Sequence, residues 1–247
     1  TRFFHRMRSD TSAEAQERVS LEDWVKILTH EQVDPVVSAI FQLVEPAVVA
    51  KNAKPLEELG YNTSYALDLA NHPYPMSQML FYAAGVLGFD PPTTFQNPQD
   101  PGGISFLHSS PPGIVLGAAA LGAEIPTQVG AFITARHLTY YWPGWYMRPL
   151  VPSGTGLRAW LFAAIRLIHD SFPVAESLES TVRMNSEAIK ANISGPNREK
   201  LASAVSKLLQ GGSIDLKRWV AGVDLSADRA GLLVAHDLEI AVEMIKA

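Results

Sequence analysis

The chain of 247 residues contains no cysteine. That excludes a disulfide framework and any thiol chemistry. No run of about 18 or more uninterrupted apolar residues occurs, so no segment reads as a membrane-spanning helix. There is no Lys/Arg run and the formal net charge is −5, which makes nucleic acid and an anionic membrane surface poor partners. The sequence lacks a G-x-S-x-G elbow, a phosphate-binding G-x-x-x-x-G-K-[ST] loop and a G-x-G-x-x-G dinucleotide fingerprint. It has no internal repeat. No signal-peptide pattern is present, and the expected location is cytoplasmic. The chain begins at Thr1, so we expect a piece of a longer or processed polypeptide.

What is present suits a packed protein. Apolar residues make up 47% and charged residues 18%, enough to build a core and too apolar for disorder. Arg2, His5, Arg6 and Arg8 cluster near the start and are expected to form a solvated terminus. Ser20 and Asp34-Pro35 are helix-start signals. Val37, Ile40, Phe41, Val44 and Val48 give the second of these helices a core stripe, which Pro46 is expected to kink or shorten. Residues 1–72 thus read as a helical N-terminal extension, followed by a second unit over 73–247. In that unit Pro73–Gly88 is a helix. Thr93–Gln96, Ile104–His108 and Ile114–Gly117 are short strands. Helices follow over Gly156–Ile168, Glu176–Ile193 and Pro196–Gln210. Asp215 caps the penultimate helix and Asp237 the last one, which is expected to bury Leu238, Ala241, Val242 and Ile245. The fold class expected is α+β, mainly helical, with a small β-sheet.

The stretch around which the chain is organised is Gly130–Tyr141, an apolar helix stopped by Pro143-Gly144. It carries Arg136 and His137 side by side, and a buried charge needs a partner. The five residues Arg136-His137-Leu138-Thr139-Tyr140 can be set in the frame H-E-x-x-H. In that frame, residues four apart on one helix face grip a metal and the Glu addresses its water. Arg136 and Tyr140 stand at the two ligand positions and His137 at the position of the base. Further on lies Asp224-Leu225-Ser226-Ala227-Asp228-Arg229-Ala230-Gly231.

This second segment resembles the E-x-x-A-D-R-A-G segment of the HtpX-type and CAAX-protease-type gluzincin metallopeptidases. The resemblance covers residues 73–247. It implies a zincin-like domain with a small sheet before the central helix. It puts Asp224 at the position of the third zinc ligand. Asp228 then stands at the position that supports a zinc-binding His. The core Ala227–Gly231 fits well, whereas all three key positions of the first motif are changed.

Arg stays protonated and cannot ligate zinc, and tyrosine ligation would need a phenolate. His137 lies off the ligand face. No metal and no cofactor are therefore expected, and no catalytic residue is assigned. The expected function is that of a catalytically inactive metallopeptidase-like domain. It would bind a protein or peptide partner, as an interaction or scaffolding module of a larger bacterial protein. The alternative is an active hydrolase, or a small-ligand or peptide binder, using the same cavity, with His137 and His108 as a rebuilt pair. Tyr141, Trp142, Trp145, Tyr146 and His108 are the candidate groove, unless these rings fill core around Pro143. Two carboxylates left without their metal would repel each other. Arg136 is accordingly expected to occupy the vacated position in a partly buried cavity and to bond Asp228, with Asp224 within reach.

Overall fold

The computed structural model describes residues 18–122, 124–211 and 214–246. The basic cluster at residues 2–8 and most of the expected terminus lie outside them. The Ser20 side chain accepts the Asp23 N–H and starts a helical turn, Leu21–Asp23, that runs into a π-helical turn, Trp24–Leu28. Asp34 accepts the N–H groups of Val36 and Val37 at the start of α1 (Pro35–Asn52). Pro46 does not shorten α1, since the helix runs on to Asn52. Val44, Ala47 and Val48 are buried on both sides of it. Each large side chain so buried contributes about 1.5–3 kcal/mol, which offsets the roughly 3 kcal/mol that an interior proline costs.

Helix α2 (Pro75–Leu87) stops at Gly88, which takes the left-handed conformation that suits glycine there. Three short strands follow: β1 (Thr94–Asn97), β2 (Ile104–Leu107) and β3 (Gly113–Gly117). They form one sheet in the order β1-β3-β2, with β1 parallel and β2 antiparallel to β3. Gly117 is needed where it stands, because a Cβ there would lie 2.4 Å from the Gly102 carbonyl oxygen. The side chains alternate as a pleat requires. Ile114 and Leu116 join the main core, together with the half-buried Ile104 and Phe106. Val115 packs on the other side with Leu56, Phe95 and Leu107.

The remaining helices are α3 (Thr127–Thr139), α4 (Met147–Leu150), α5 (Gly154–Ile168), α6 (Glu176–Asn192), α7 (Gly195–Gln210), α8 (Leu216–Ala235) and α9 (Leu238–Lys246). Asp215 caps α8 through the Arg218 N–H, and Asp237 caps α9 through the Ile240 N–H. The chain is therefore mainly helical, with a small three-stranded sheet. The helices and the inner face of the sheet share one core cluster that reaches from Trp24 to Ala241, so packing crosses residue 72 without a break. Trp219 of α8 meets Phe41 of α1 edge-on at 4.8 Å, and its Nε1–H donates to Ser38 Oγ at 2.9 Å.

One expectation fails at the end of the chain. Helix α9 buries Ala241, but Leu238, Val242 and Ile245 are 66%, 40% and 55% exposed. This short helix docks on α3 and α8 along one narrow edge, and its larger apolar side chains turn outward. Among the described residues, no helix is long and apolar enough to cross a membrane.

Candidate functional site: the seam between α3 and α8

Helices α3 and α8 lie against each other through small side chains. Ala135, Ala227 and Ala230 are fully buried at this contact level, and Gly231 faces Phe132. A Cβ on Gly231 would come within 2.7 Å of the Phe132 ring, so glycine sets how near the two helices can be. Each residue of the Ala227–Gly231 segment then has a place. Ala227, Ala230 and Gly231 pack. Arg229 points the other way and donates to the carbonyl oxygens of Ile27 and Thr29, and to Glu31. Asp228 faces α3.

The polar pairs along the seam descend in register. Arg136 Nε–H donates to Asp228 Oδ1 at 2.6 Å. One turn further along α3, the Tyr140 hydroxyl donates to Asp224 Oδ1 at 2.9 Å. The two helices are thus antiparallel, with position 136 opposite 228 and position 140 opposite 224. Asp224 Oδ2 also accepts Arg148 Nη2–H at 3.3 Å. The expectation that Arg136 bonds Asp228, with Asp224 near enough to act on its charge, agrees with this geometry, but the burial and the bonding mode differ. The hydrogen bonds to Asp224 come from Tyr140 and Arg148. The Arg136 side chain is 44% exposed, against 16% for Asp228, and it offers Nε rather than a bidentate fork. The pair closes the rim of the seam; it does not fill a buried cavity. An exposed pair of this kind contributes about 1 kcal/mol or less, well below the 3–5 kcal/mol of a fully buried one.

These side chains do not suit zinc. Arg136 keeps its proton: burial works against its charge, but the bond to Asp228 and the neighbouring acidic groups raise its pKa nonetheless. The Tyr140 hydroxyl is pushed well above its ordinary value, first by burial and then by the charge of Asp224, so the phenolate a metal would need is disfavoured. Among the described residues, no three His, Asp or Glu side chains are gathered as a metal site requires.

His137 occupies the other flank of α3. It is buried and stacks on Phe106 of β2, with ring centroids 3.9 Å apart and an interplanar angle of 22°. Burial, and then the charge of Arg136, pull its pKa down to about 3, so the ring is neutral. Its Nε2 has no hydrogen-bond partner among the described residues. His108 does not pair with it. His108 Nδ1 shares a 2.9 Å hydrogen bond with the Tyr146 hydroxyl, and burial lowers its pKa.

The aromatic residues assigned to a groove rim belong to the core. Trp145 and Tyr146 are almost completely buried. Trp142 stacks on Trp24 at 4.4 Å, with Phe89 edge-on to both rings. Tyr141 is half-buried and donates to the Gly113 carbonyl oxygen at 2.6 Å. Trp24, anchored by its Nε1–H on the Leu87 carbonyl, packs on Trp142 and Trp145, whereas Tyr141 and Tyr146 stack on each other and meet Phe106 of β2.

Two residues that support the site were not singled out from sequence. Arg148 is the second cation that two facing carboxylates require, and that imbalance was its signal. Glu45 lies between Val44 and Pro46 on the apolar side of α1, with no cation one turn away on either side. Its Oε2 accepts the Gly144 N–H at 3.0 Å. Gly144 has a left-handed φ of 84°, and a Cβ there would lie 2.6 Å from the Ser38 carbonyl oxygen. The turn that ends the α3 segment is therefore pressed onto α1 and held by a carboxyl group. No protein-family model matches this chain, and neither does any curated protein or solved structure.

Burial raises the Glu45 pKa from 4.5 to about 7, opposed by the Gly144 hydrogen bond. Its folded pKa is above its unfolded one. The stability it contributes is therefore fully present below about pH 4.5 and is lost as pH rises through about 7. Glu45→Gln keeps the acceptor for Gly144 and removes the charge. At pH 8 it should be more stable than the wild type by about 2–3 kcal/mol, and at pH 4 the gap should close. Urea unfolding at both pH values measures this.

Proposed function

We propose that the chain is a catalytically inactive metallopeptidase-like domain of the gluzincin type. In this reading it serves as a peptide-binding interaction module in a longer polypeptide. The observation that carries it is the register of the seam. In the family resembled, the Asp supports a zinc-binding His, and the first ligand position of the helix motif faces both that Asp and the third ligand. Here Arg136, at the first position, bonds Asp228, and Tyr140, at the second, bonds Asp224. The helix motif and the second segment thus face each other as the resemblance implies, joined directly by an arginine and a tyrosine where it has zinc ligands. Loss of the Glu that would polarise water leaves His137, buried and neutral, in its place. No hydrolytic step is assigned.

The binding surface favoured is the outer edge of β2, which ends the sheet order; just beyond the strand, Lys54 pairs with residues 108–110. Gly117 N–H donates to the Gly103 carbonyl at 2.7 Å, and Gly103 falls opposite Gly117 by extension of the β2–β3 register. Residues 103, 105 and 107 therefore turn their main-chain groups toward β3. Ile104 and Phe106 turn theirs outward. Phe106 also touches His137 and Tyr140 of α3. An extended peptide adding to this edge would run past the residues that stand in for the catalytic motif.

The reading of the seam is tested by rebuilding it. The triple variant Arg136→His, Tyr140→His, Asp224→Glu supplies three ligands and an open position. It should bind about one zinc per chain and melt at higher temperature with zinc than without, whereas the wild type should do neither. A folded triple variant that takes up no zinc would contradict the proposal.

The edge is tested separately with a peptide selected against the protein from a display library. Ile104→Pro removes one outward N–H without touching the ladder to β3. It should weaken that peptide at least about tenfold, by the loss of a main-chain bond and its neighbour contacts, with the far-ultraviolet circular dichroism unchanged. Unaltered affinity would place the peptide elsewhere.

A further inference from the structure

A cleft of about 390 Å³ opens on the opposite part of the helical layer, between α5, the end of α7 and the first turn of α8. This lies about 12 Å along the α8 axis from Asp224, at 1.5 Å per residue, and no residue of the seam lines it. Its floor and walls are apolar: Phe162, Phe172, Leu208, Leu209, Ile214 and Leu216. Two cations, Arg158 and Lys217, belong to its lining and are exposed. Neither has an ion-pair or hydrogen-bond partner among the described residues. Asp215, the one acidic residue of the lining, has Oδ1 bound to the Arg218 N–H as the α8 cap. The lining charge is thus net positive.

The wall is fixed in place rather than left to form on binding. Arg166 donates through Nε to the Phe172 carbonyl at 2.5 Å and through both terminal nitrogens to Glu179 of α6, at 3.0 and 3.1 Å. This fork pins the loop after α5. Phe172 in turn meets Phe162 edge-on at 5.4 Å. A volume in the range of small-molecule sites, an apolar interior and two free, exposed cations in the lining define the complement of an amphipathic anion.

We propose that this cleft is a binding site for an amphipathic monocarboxylate. The aliphatic chain lies among Phe162, Phe172, Leu208 and Ile214, and the carboxylate meets Arg158 and Lys217. The apolar part removes from water the exposed faces of side chains such as Leu209. The cations give orientation and distinguish an acid from its neutral analogue, because the charged end of a neutral ligand is missing where two donors wait. This site is independent of the peptide-binding reading of β2 and of the seam.

The test uses octanoate and its uncharged analogue octanamide as probes, with methyl resonances of the leucine and isoleucine residues as the readout. Octanoate should produce saturable shifts at Leu208, Leu209, Ile214 and Leu216, and octanamide should bind about fivefold more weakly. Arg158→Gln with Lys217→Gln, both at exposed positions, should lower octanoate affinity to that of octanamide and leave octanamide unchanged. Absence of saturable shifts at these methyl groups would overturn the proposal. So would equal affinity of the two probes for the wild type, or an octanoate affinity that the double substitution does not change.

Discussion

The structure depends on how closely α3 and α8 approach. Gly231 admits the Phe132 ring, and Ala135, Ala227 and Ala230 leave no larger side chain between the two backbones. Interiors pack to near crystal density, so each of these small residues sets a position rather than merely tolerating one. A single added methyl at Gly231 would fall within 2.7 Å of the ring. Only at this separation can Arg136 reach Asp228 and Tyr140 reach Asp224 at hydrogen-bond distance. The polar pairs are consequences of the apolar contact. They orient the helices and keep two carboxylates from facing each other unpaired, while burial supplies the larger share of the free energy.

The other layers are built outward from that seam. On one flank of α3, His137 and Tyr141 carry the sheet, through the Phe106 ring and the Gly113 carbonyl. At its end, Gly144 is seated on α1 by Glu45. On the far side of α8, Trp219 locks onto Phe41 and Ser38 of α1, and Arg229 gathers the carbonyl groups after the first helical turns. The same α1 thus holds one end of the α3–α8 unit, where the C-terminus of α3 meets the first turns of α8, and the N-terminal segment is part of the same core.

Much of this was legible in the sequence because it is local. Ser20, Asp34, Asp215 and Asp237 start helices where their side chains can satisfy free N–H groups, and all four do so. The three strands and their turns followed from β-branched runs between Gly and Pro. The opposition of Arg136 and Asp228 was legible because the resemblance sets the first ligand position against the second segment and because two carboxylates call for a cation. What escaped was set by distant segments. Trp142 and Trp145 look like part of a groove until Trp24, more than a hundred positions earlier, is packed on them, and Tyr146 until Phe106 and His108 of the sheet region meet it. The α9 stripe has helical period yet stays exposed, since amphipathicity states which face is apolar and not what covers it. Glu45 and Arg148 gained their roles from partners far away in the chain, Gly144 and Asp224.

The claim on which the account rests is that the two carboxylates of α8 are held separately and in register, Asp228 by Arg136 and Asp224 by Tyr140. Double-mutant cycles in urea unfolding address it directly, using Arg136→Ala, Tyr140→Phe, Asp224→Ala and Asp228→Ala. The account predicts coupling of about 0.5–1 kcal/mol within each of the two bonded pairs and none resolved between Arg136 and Asp224. Coupling of Arg136 to Asp224 as strong as to Asp228, or no coupling within either pair, would contradict it.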